Sequence, residues 1–384
     1  MPGMDSQEAY DAALQTVQAR VAQAASSALP LRIQGGASKA FYASPEQGEL
    51  LDTRVLHGIL SYEPSELYVT VGAGTALRTL EQTLAAQNQC LPFEPPHYAW
   101  SKAGDSAATV GGMVASALAG PARVQAGAVR DYVLGLKLLN GQGQLLTFGG
   151  QVMKNVAGYD LSRLMVGALG TLGLIAEVSL KVMPCAPAEA TLEFEMEQAP
   201  ALEQLQRWGA RPLPLSASCW LRPPGSAPLL RLRLRGALAA VEAACDALLA
   251  ELRGRRVADA QAQADWVSLR DQALAFFQRP TDASLALWRL SVAPVTPVLD
   301  LPGEVLVEWH GALRWVWARA DQAERLQAMA QQAGGHAACF VAATQDSGAA
   351  PSARLYTANP ALQAVQARLK ASFDPLSVFN RGLL

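Results

Sequence analysis

The chain has 384 residues, of which 51% are hydrophobic and 17% charged, and its net charge is −2. That length is enough for two domains and a large buried core, and the composition excludes a disordered chain. The near-neutral balance argues against general attraction to nucleic acid or to an anionic membrane surface.

Residues 6–28 place Leu14, Val17 and Val21 on one face and predict a helix. The opening MPGMDSQEAYDAALQ has no basic segment followed by an apolar core, so no secretory signal is expected. No run of about 18 apolar residues predicts a membrane span, and a cytoplasmic protein is the simple expectation. LPLRIQGGASKAF then predicts a short strand, Leu31–Ile33, entering Gly35-Gly36. ELYVTVGAGTALRTLEQTLAAQ reads as a strand, a glycine-rich turn and a helix, with Thr75 at the N-cap and Leu77, Leu80 and Leu84 at helical spacing. After a proline-rich loop, SAATVGGMVASALAGP predicts a turn and a closely packed helix. DYVLGLKLLNGQGQLLTFGG predicts a hairpin turning at Asn140-Gly141. From Leu174, apolar Ala176, Val178, Leu180 and Val182 alternate with Glu177, Ser179 and Lys181, the pattern of a half-buried strand.

MPCAPAE breaks the pattern and sets a domain boundary near residue 185. Beyond it, PLLRLRLRG puts Arg231, Arg233 and Arg235 on one strand face, expected to meet solvent or a partner. Strands are predicted in ALWRLSVAP, EVLVEWHGALRWVWA and HAACFVAA, with helices in ALAAVEAACDALLAELRG and DQAERLQAMAQQAGG. Such alternation over one sheet predicts an α+β domain. A helix and an ordered tail follow in ALQAVQARLKASFDPLSVFNRGLL. The five cysteines are dispersed without a CxxC, so neither a disulfide framework, a zinc ribbon nor an iron–sulfur cluster held by this chain alone is expected.

Four glycine clusters stand out: Gly35-Gly36 to Lys39, Gly72 to Gly74, Thr109 to Gly112, and Gly167 to Gly173. Such backbone admits close approach of a ligand, and successive N–H groups make concave anion sites. Each cluster alone is more often a turn. The order helix, GALGTLG, strand reverses a Rossmann fingerprint, and GGASK lacks P-loop spacing. The residues by themselves therefore reach only an α/β protein that cradles an anionic or planar ligand.

RIQGGASKAF, VTVGAGTALRTLEQTLAAQNQCLPFEPP, the run from ATVGG to LKVMP with GGQVMKNVAGYDLSRL inside it, and DPLSVFNRG resemble the vanillyl-alcohol-oxidase, or PCMH-type, FAD-binding family. More narrowly they resemble the FAD-binding subunit of bacterial glycolate oxidases, which are built from three kinds of subunit. The resemblance implies an α+β fold: a PCMH-type FAD-binding domain of two α/β subdomains over 1–185, an α+β cap with an antiparallel sheet over 186–355, and a helix and tail over 356–384 returning to the FAD domain. It implies that Gly35, Gly36, Ala37, Ser38 and Lys39 form a first pyrophosphate loop, and Thr109, Gly111 and Gly112 a second phosphate turn. Asp160, Gly170, Gly173 and Ile175 fall where the family chain passes the flavin and adenosine, and Asn380 at a tail position near the isoalloxazine. Covalent members have a histidine in the first loop; GGASK has none, so FAD is expected to be non-covalent.

Related catalytic chains carry a histidine-rich metal motif in the cap. Here EWHGALRWVWA holds His310 alone, the chain has four histidines, and a site needs about three ligands, so no metal is expected. Oxidising a 2-hydroxy acid needs a group for its carboxylate and a base for its hydroxyl proton. Arg314 and Arg289 are candidates for the first role, His310 and His97 for the second. Lys154, Asn155 and Tyr159 are candidate anchors of the flavin loop, and Trp100 and Tyr159 candidate core or wall residues. The expected partners are a second FAD-containing catalytic subunit and an iron–sulfur subunit. A self-sufficient D-2-hydroxy-acid dehydrogenase and a flavin-binding scaffold are the alternatives.

Overall fold

The computed structural model describes residues 4–42, 47–98, 108–150, 160–344 and 359–383; Trp100, Lys154, Asn155 and Tyr159 lie outside them. The chain divides into two compact units. Unit 1 comprises Met1–Leu118, Ala128–Cys185 and Leu355–Leu384, and unit 2 comprises Ala119–Gly127 and Ala186–Arg354. The sequence reading keeps 1–185 together, whereas the structure gives Ala119–Gly127 to unit 2.

In unit 1, α1 (Met4–Ser26) buries Tyr10, Leu14, Val17 and Val21 against Leu31, Leu51, Leu139 and Phe379. β1 (Leu31–Gln34) pairs in parallel with β2 (Glu49–Asp52). β3 (Ile59–Glu63) and β4 (Tyr68–Gly72) lead into α2 (Leu77–Ala85), which buries Leu77, Leu80 and Leu84. The N-cap of α2 is Ala76, not Thr75. The Thr75 hydroxyl is spent on the preceding turn, where it donates to Gly72 O (2.7 Å) and accepts from Gly58 N (2.9 Å). β5 (Gln89–Cys90) and α3 (Val110–Ser116) follow, then α4 (Arg123–Ala126) in the segment that belongs to unit 2.

β6 (Val133–Leu139) and β7 (Leu145–Gly149) form the expected hairpin. Asn140 Oδ1 accepts from the amides of Gln142 (3.0 Å) and Gln144 (2.9 Å), which closes the turn. After α5 (Leu161–Leu164) come β8 (Leu174–Lys181) and β9 (Met183–Pro184), the latter pairing with β5. The five-stranded sheet runs β3-β4-β8-β6-β7, antiparallel throughout. β8 is buried along one face and largely along the other, where Glu177 and Lys181 stay partly open, because α1 packs on Leu174 and Ala176 and α3 also packs against the strand. Its polar residues are satisfied inside: Ser179 shares a hydrogen bond with Thr70 (2.8 Å), and Glu177 pairs with Lys137 (2.8 Å).

Unit 2 is built on β10 (Ala188–Glu195), α6 (Gln198–Gly209), β11 (Leu215–Leu221), β12 (Leu229–Gly236), α7 (Leu238–Glu251), β13 (Arg255–Arg256), α8 (Asp259–Arg270), β14 (Leu285–Ser291), β15 (Val305–Glu308), β16 (Leu313–Arg319), α9 (Ala323–Gln332) and β17 (His336–Val341). The strands form one antiparallel sheet in the order β13-β10-β12-β11-β15-β16-β14-β17. α6 and α7 pack on Leu192, Phe194, Leu230 and Leu232, and α9 packs on Trp288, Leu290 and Val316. The opposite face carries the arginines of β12, and they are neither solvated nor waiting for a partner. Arg231 pairs with Glu193 (2.9 Å) and Asp265 (3.3 Å), and Arg235 with Glu189. Arg233 is buried beneath the Trp266 ring of α8 (4.9 Å).

The chain returns to unit 1 as α10 (Pro360–Phe373) and its tail. Asp374 accepts from the amides of Val378 (2.7 Å) and Phe379 (2.9 Å), and Phe379 bridges in parallel to Leu31 of β1. Among the described residues no helix is long and apolar enough to cross a membrane.

Candidate functional site

β1 ends at Gln34, and the chain turns through Gly35–Lys39 to form one wall of a cleft of about 970 Å³, open mouth included. The start of α3 forms the next wall with Thr109, Gly111 and Gly112. Gly35 must be glycine, because a Cβ there would lie 2.4 Å from Thr109 Oγ1. Thr109 is the N-cap of α3 and accepts from Gly112 N at 3.2 Å, while Gly111 N donates to Ala73 O at 2.7 Å. The two predicted phosphate loops are thus pressed together, although they are far apart in sequence.

A third wall is Leu169, Gly170, Gly173 and Ile175, and Asn380 reaches it from the tail. Gly170 takes φ +70°, with Asn380 Nδ2 2.8 Å from where its Cβ would stand. Asn380 joins three segments: its Oδ1 accepts from Ile33 N (2.8 Å), its Nδ2 donates to Leu169 O (2.8 Å), and its N donates to Leu31 O (3.0 Å). Gly36, Ala37, Ser38 and Lys39 complete the predicted set that lines the cleft. Asp160 does not. It is an exposed N-cap of α5, accepting from Ser162 Oγ (2.6 Å) and paired with Arg163 (2.9 Å), because its carboxylate satisfies the first turn of that helix.

Sequence reasoning passes over Arg32. It lines the cleft, and its Nε is buried without a hydrogen-bond partner. The available signal was alternation: Leu31 is buried in the unit 1 core, so the next residue of β1 points the other way. Arg32 and Lys39 bring two positive charges to a cleft whose other lining mixes glycine backbone, apolar Ile33, Ala115 and Ile175, and neutral polar Gln34, Thr53 and Ser116. That donor set fits an anionic dinucleotide with a planar ring.

The catalytic candidates lie in unit 2. EWHGALRWVWA is not one strand: β15 and β16 are separated by Trp309, His310 and Gly311, with φ of 54°, 52° and 97°. Left-handed backbone at bulky residues costs about 1–3 kcal/mol each. Three ties hold the turn: Trp309 Nε1 to Gly120 O (3.1 Å), His310 N to Ser218 Oγ (2.9 Å), and Arg314 Nε to Gly311 O (2.9 Å).

Arg314, the expected carboxylate anchor, clasps this turn, and its Nη1 is buried without a hydrogen-bond partner. It is fully buried, its Nη2 donates to Thr296 O (2.9 Å), and burial pushes its pKa down to about 10. Desolvation pushes His310 down to about 4, so its imidazole is neutral at pH 7 and a weak base. His97 is tied to Glu81 of α2 at 2.8 Å and does not line the cleft. Sequence reasoning also misses Glu308, buried at the end of β15. Burial pushes its carboxyl up to about 7, although Trp315 Nε1 donates to it (2.7 Å) and Arg289 lies near.

Residues 12–149 match the family of FAD binding domains. The chain is 43% identical to the glycolate oxidase subunit GlcE of Escherichia coli (strain K12) over 364 residues, which is 94% of this chain and 95% of that one. It is 34% identical to the glycolate oxidase subunit GlcD of Bacillus subtilis (strain 168) over 159 residues, 41% of this chain and 32% of that one. A D-lactate dehydrogenase of Anaerostipes hadrus is 33% identical over 150 residues, 39% of this chain and 30% of that one. Among solved structures, an alkyldihydroxyacetonephosphate synthase aligns with a TM-score of 0.62 at 15% identity, covering 95% of this chain and 74% of that one, a likeness of fold alone. The expected α+β fold with an FAD-binding domain and the expected cofactor, FAD, are borne out by these matches. Because the likeness to GlcE runs nearly end to end in both proteins, the chain belongs to the family of that glycolate oxidase subunit.

Proposed function

We propose that this chain is the FAD-binding subunit of a multi-subunit glycolate oxidase that converts glycolate to glyoxylate and passes the electrons to an iron–sulfur partner. The carrying observation is the likeness to GlcE over 94% of the chain, against 41% for GlcD and 39% for the D-lactate dehydrogenase. A second FAD-containing subunit completes the complex, which we place in the cytoplasm with membrane contact only through partners.

When bound, FAD supplies the acceptor for the hydride on the glycolate Cα. Arg32, Lys39 and the Gly35–Ser38 backbone would hold its pyrophosphate, and Ile33, Leu169 and Ile175 would keep water from the ring. The Gly35–Lys39 loop offers no histidine for attachment, which supports non-covalent binding. In unit 2, Glu308 at about 7 is matched to proton exchange near neutrality, and His310 at about 4 is not.

The test is the visible spectrum of the purified chain before and after anaerobic glycolate. Flavin absorbance that bleaches places a working oxidation site in this chain. Absorbance that stays assigns the oxidation to the second flavin subunit. A chain without flavin, alone and in the purified complex, overturns the reading.

A further inference from the structure

In unit 2 the Trp309 ring carries two guanidinium groups, that of Arg123 from α4 at 4.5 Å and that of Arg289 from β14 at 5.1 Å. The Arg289 group also lies 5.9 Å from the Trp315 ring. Two cations beside one ring repel each other, and ring quadrupoles offset that only in part. The Nε of Arg289 is buried and has no hydrogen-bond partner, and among the described residues no carboxylate forms an ion pair with Arg289.

The ring is not there by default. Trp309 sits in the left-handed turn that breaks β15 from β16, and its indole is tied to Gly120 O, three residues before Arg123. The strained turn therefore fixes the ring beside the segment that carries Arg123. On the sheet, Arg289 pairs with Ala338 of β17 and Ser291 pairs with His336, so Arg289 and His336 share a face. His336 feels both arginines: its pKa is lowered by burial first, then by Arg289 and Arg123. Glu308 is close enough to feel Arg289, yet its carboxyl hydrogen-bonds Trp315 instead. A cluster of positive charge, held by a costly turn and with no anion of Arg289's own, is the arrangement of a receptor for an anion.

We propose that Arg123 and Arg289, set around the Trp309 ring, form a receptor for a small carboxylate, the carboxylate of a 2-hydroxy acid or its 2-oxo product. The guanidinium fork matches the planar pair of carboxylate oxygens. The choice of glycolate as ligand rests on the proposed function; the receptor's chemistry does not.

The experiment is calorimetric titration of glycolate into the full FAD-loaded chain, with uncharged glycolamide as the control. Wild type is expected to bind glycolate and not glycolamide. R289Q and R123Q should each weaken binding by at least about tenfold, and R289K should recover part of the loss. Flavin absorbance per chain, measured in every variant, reports that the fold persists. Glycolate binding unchanged in both R289Q and R123Q overturns the receptor, as does wild type binding glycolate no better than glycolamide. If the chain binds glycolate through Arg289 but the assembled complex does not oxidise it, the receptor stands and the proposed function falls. If the complex oxidises glycolate while R289Q and R123Q bind it normally, the reverse holds.

Discussion

The cleft of unit 1 is drawn by backbone, and the charge cluster of unit 2 by side chains. Around the cleft, Gly35, Gly111 and Gly170 bring chain segments within contact of one another, and a Cβ at Gly35 would collide with Thr109. In unit 2, Arg123, Arg289 and Arg314 surround a turn whose backbone is strained, and cation–ring contacts and carbonyl clasps define the site. A backbone site is hurt more by added bulk than by the loss of one nearby charge. A side-chain site tolerates bulk at its margins and is undone by removing one charge or one donor.

Four substitutions sharpen this contrast, taken from the largest expected effect. Arg314→Met removes the donors to Gly311 O and Thr296 O and should cost about 3–4 kcal/mol of stability. Denaturant unfolding followed by tryptophan fluorescence measures it. Flavin retained at denaturant concentrations where unit 2 has already unfolded would show that the two sites are independently held. Gly35→Val places a Cβ against Thr109 Oγ1 and should weaken FAD by about 30- to 100-fold, roughly 2–3 kcal/mol, while leaving Arg289-dependent glycolate binding intact. Equilibrium dialysis of FAD reads the loss. Unchanged affinity would mean that the loop is not part of the cofactor site.

Glu308→Gln concerns pH. The folded carboxyl titrates at about 7 against an ordinary 4.5, so the fold favours its neutral form. Its contribution to stability is full below about pH 4.5 and is lost as pH rises through about 7, a change on the order of 3 kcal/mol. Urea midpoints measured from pH 5 to 8 should fall with pH in wild type and lose that component in Glu308→Gln. His310 acts on the other limb: its pKa is lowered from 6.5 to about 4, so its contribution is present above 6.5 and lost as pH falls through about 4. The smallest effect is at Arg32→Gln, expected to weaken FAD by about tenfold, near 1.4 kcal/mol. An unaltered dissociation constant would show that the buried Nε serves packing alone.

Why one site was readable and the other was not follows from the same contrast. Glycine is visible in a sequence, and Gly35, Gly36, Gly111, Gly112 and Gly170 mark the cleft because close approach demands them. Even there the signal is double: a Cβ at Gly173 would strike Leu139 O at 2.7 Å, so its bareness serves packing on β6 as well as lining the cleft. Arg32 was obscured because a four-residue strand is too short to display its alternation. Asp160 was misplaced because a helix N-cap and a ligand contact favour the same residue type. In unit 2, Trp309 and His310 read as strand, and their left-handed backbone is imposed by hydrogen bonds to Gly120 and Ser218, which no local pattern announces. The arginines of β12 looked solvated because their acidic partners, Glu193, Asp265 and Glu189, come from β10 and α8.

The parallel bridge between Leu31 and Phe379, with Asn380 locked to Ile33 and Leu169, joins an early strand to a late tail. During synthesis, β1 emerges long before the residues that complete its surroundings, since Asn380 and Leu383 line the cleft. Every residue of unit 2 precedes Leu355, so that unit owes none of its own residues to the tail that closes the flavin cleft. A chain trimmed before residue 380 would carry every residue of unit 2 and no complete place for FAD.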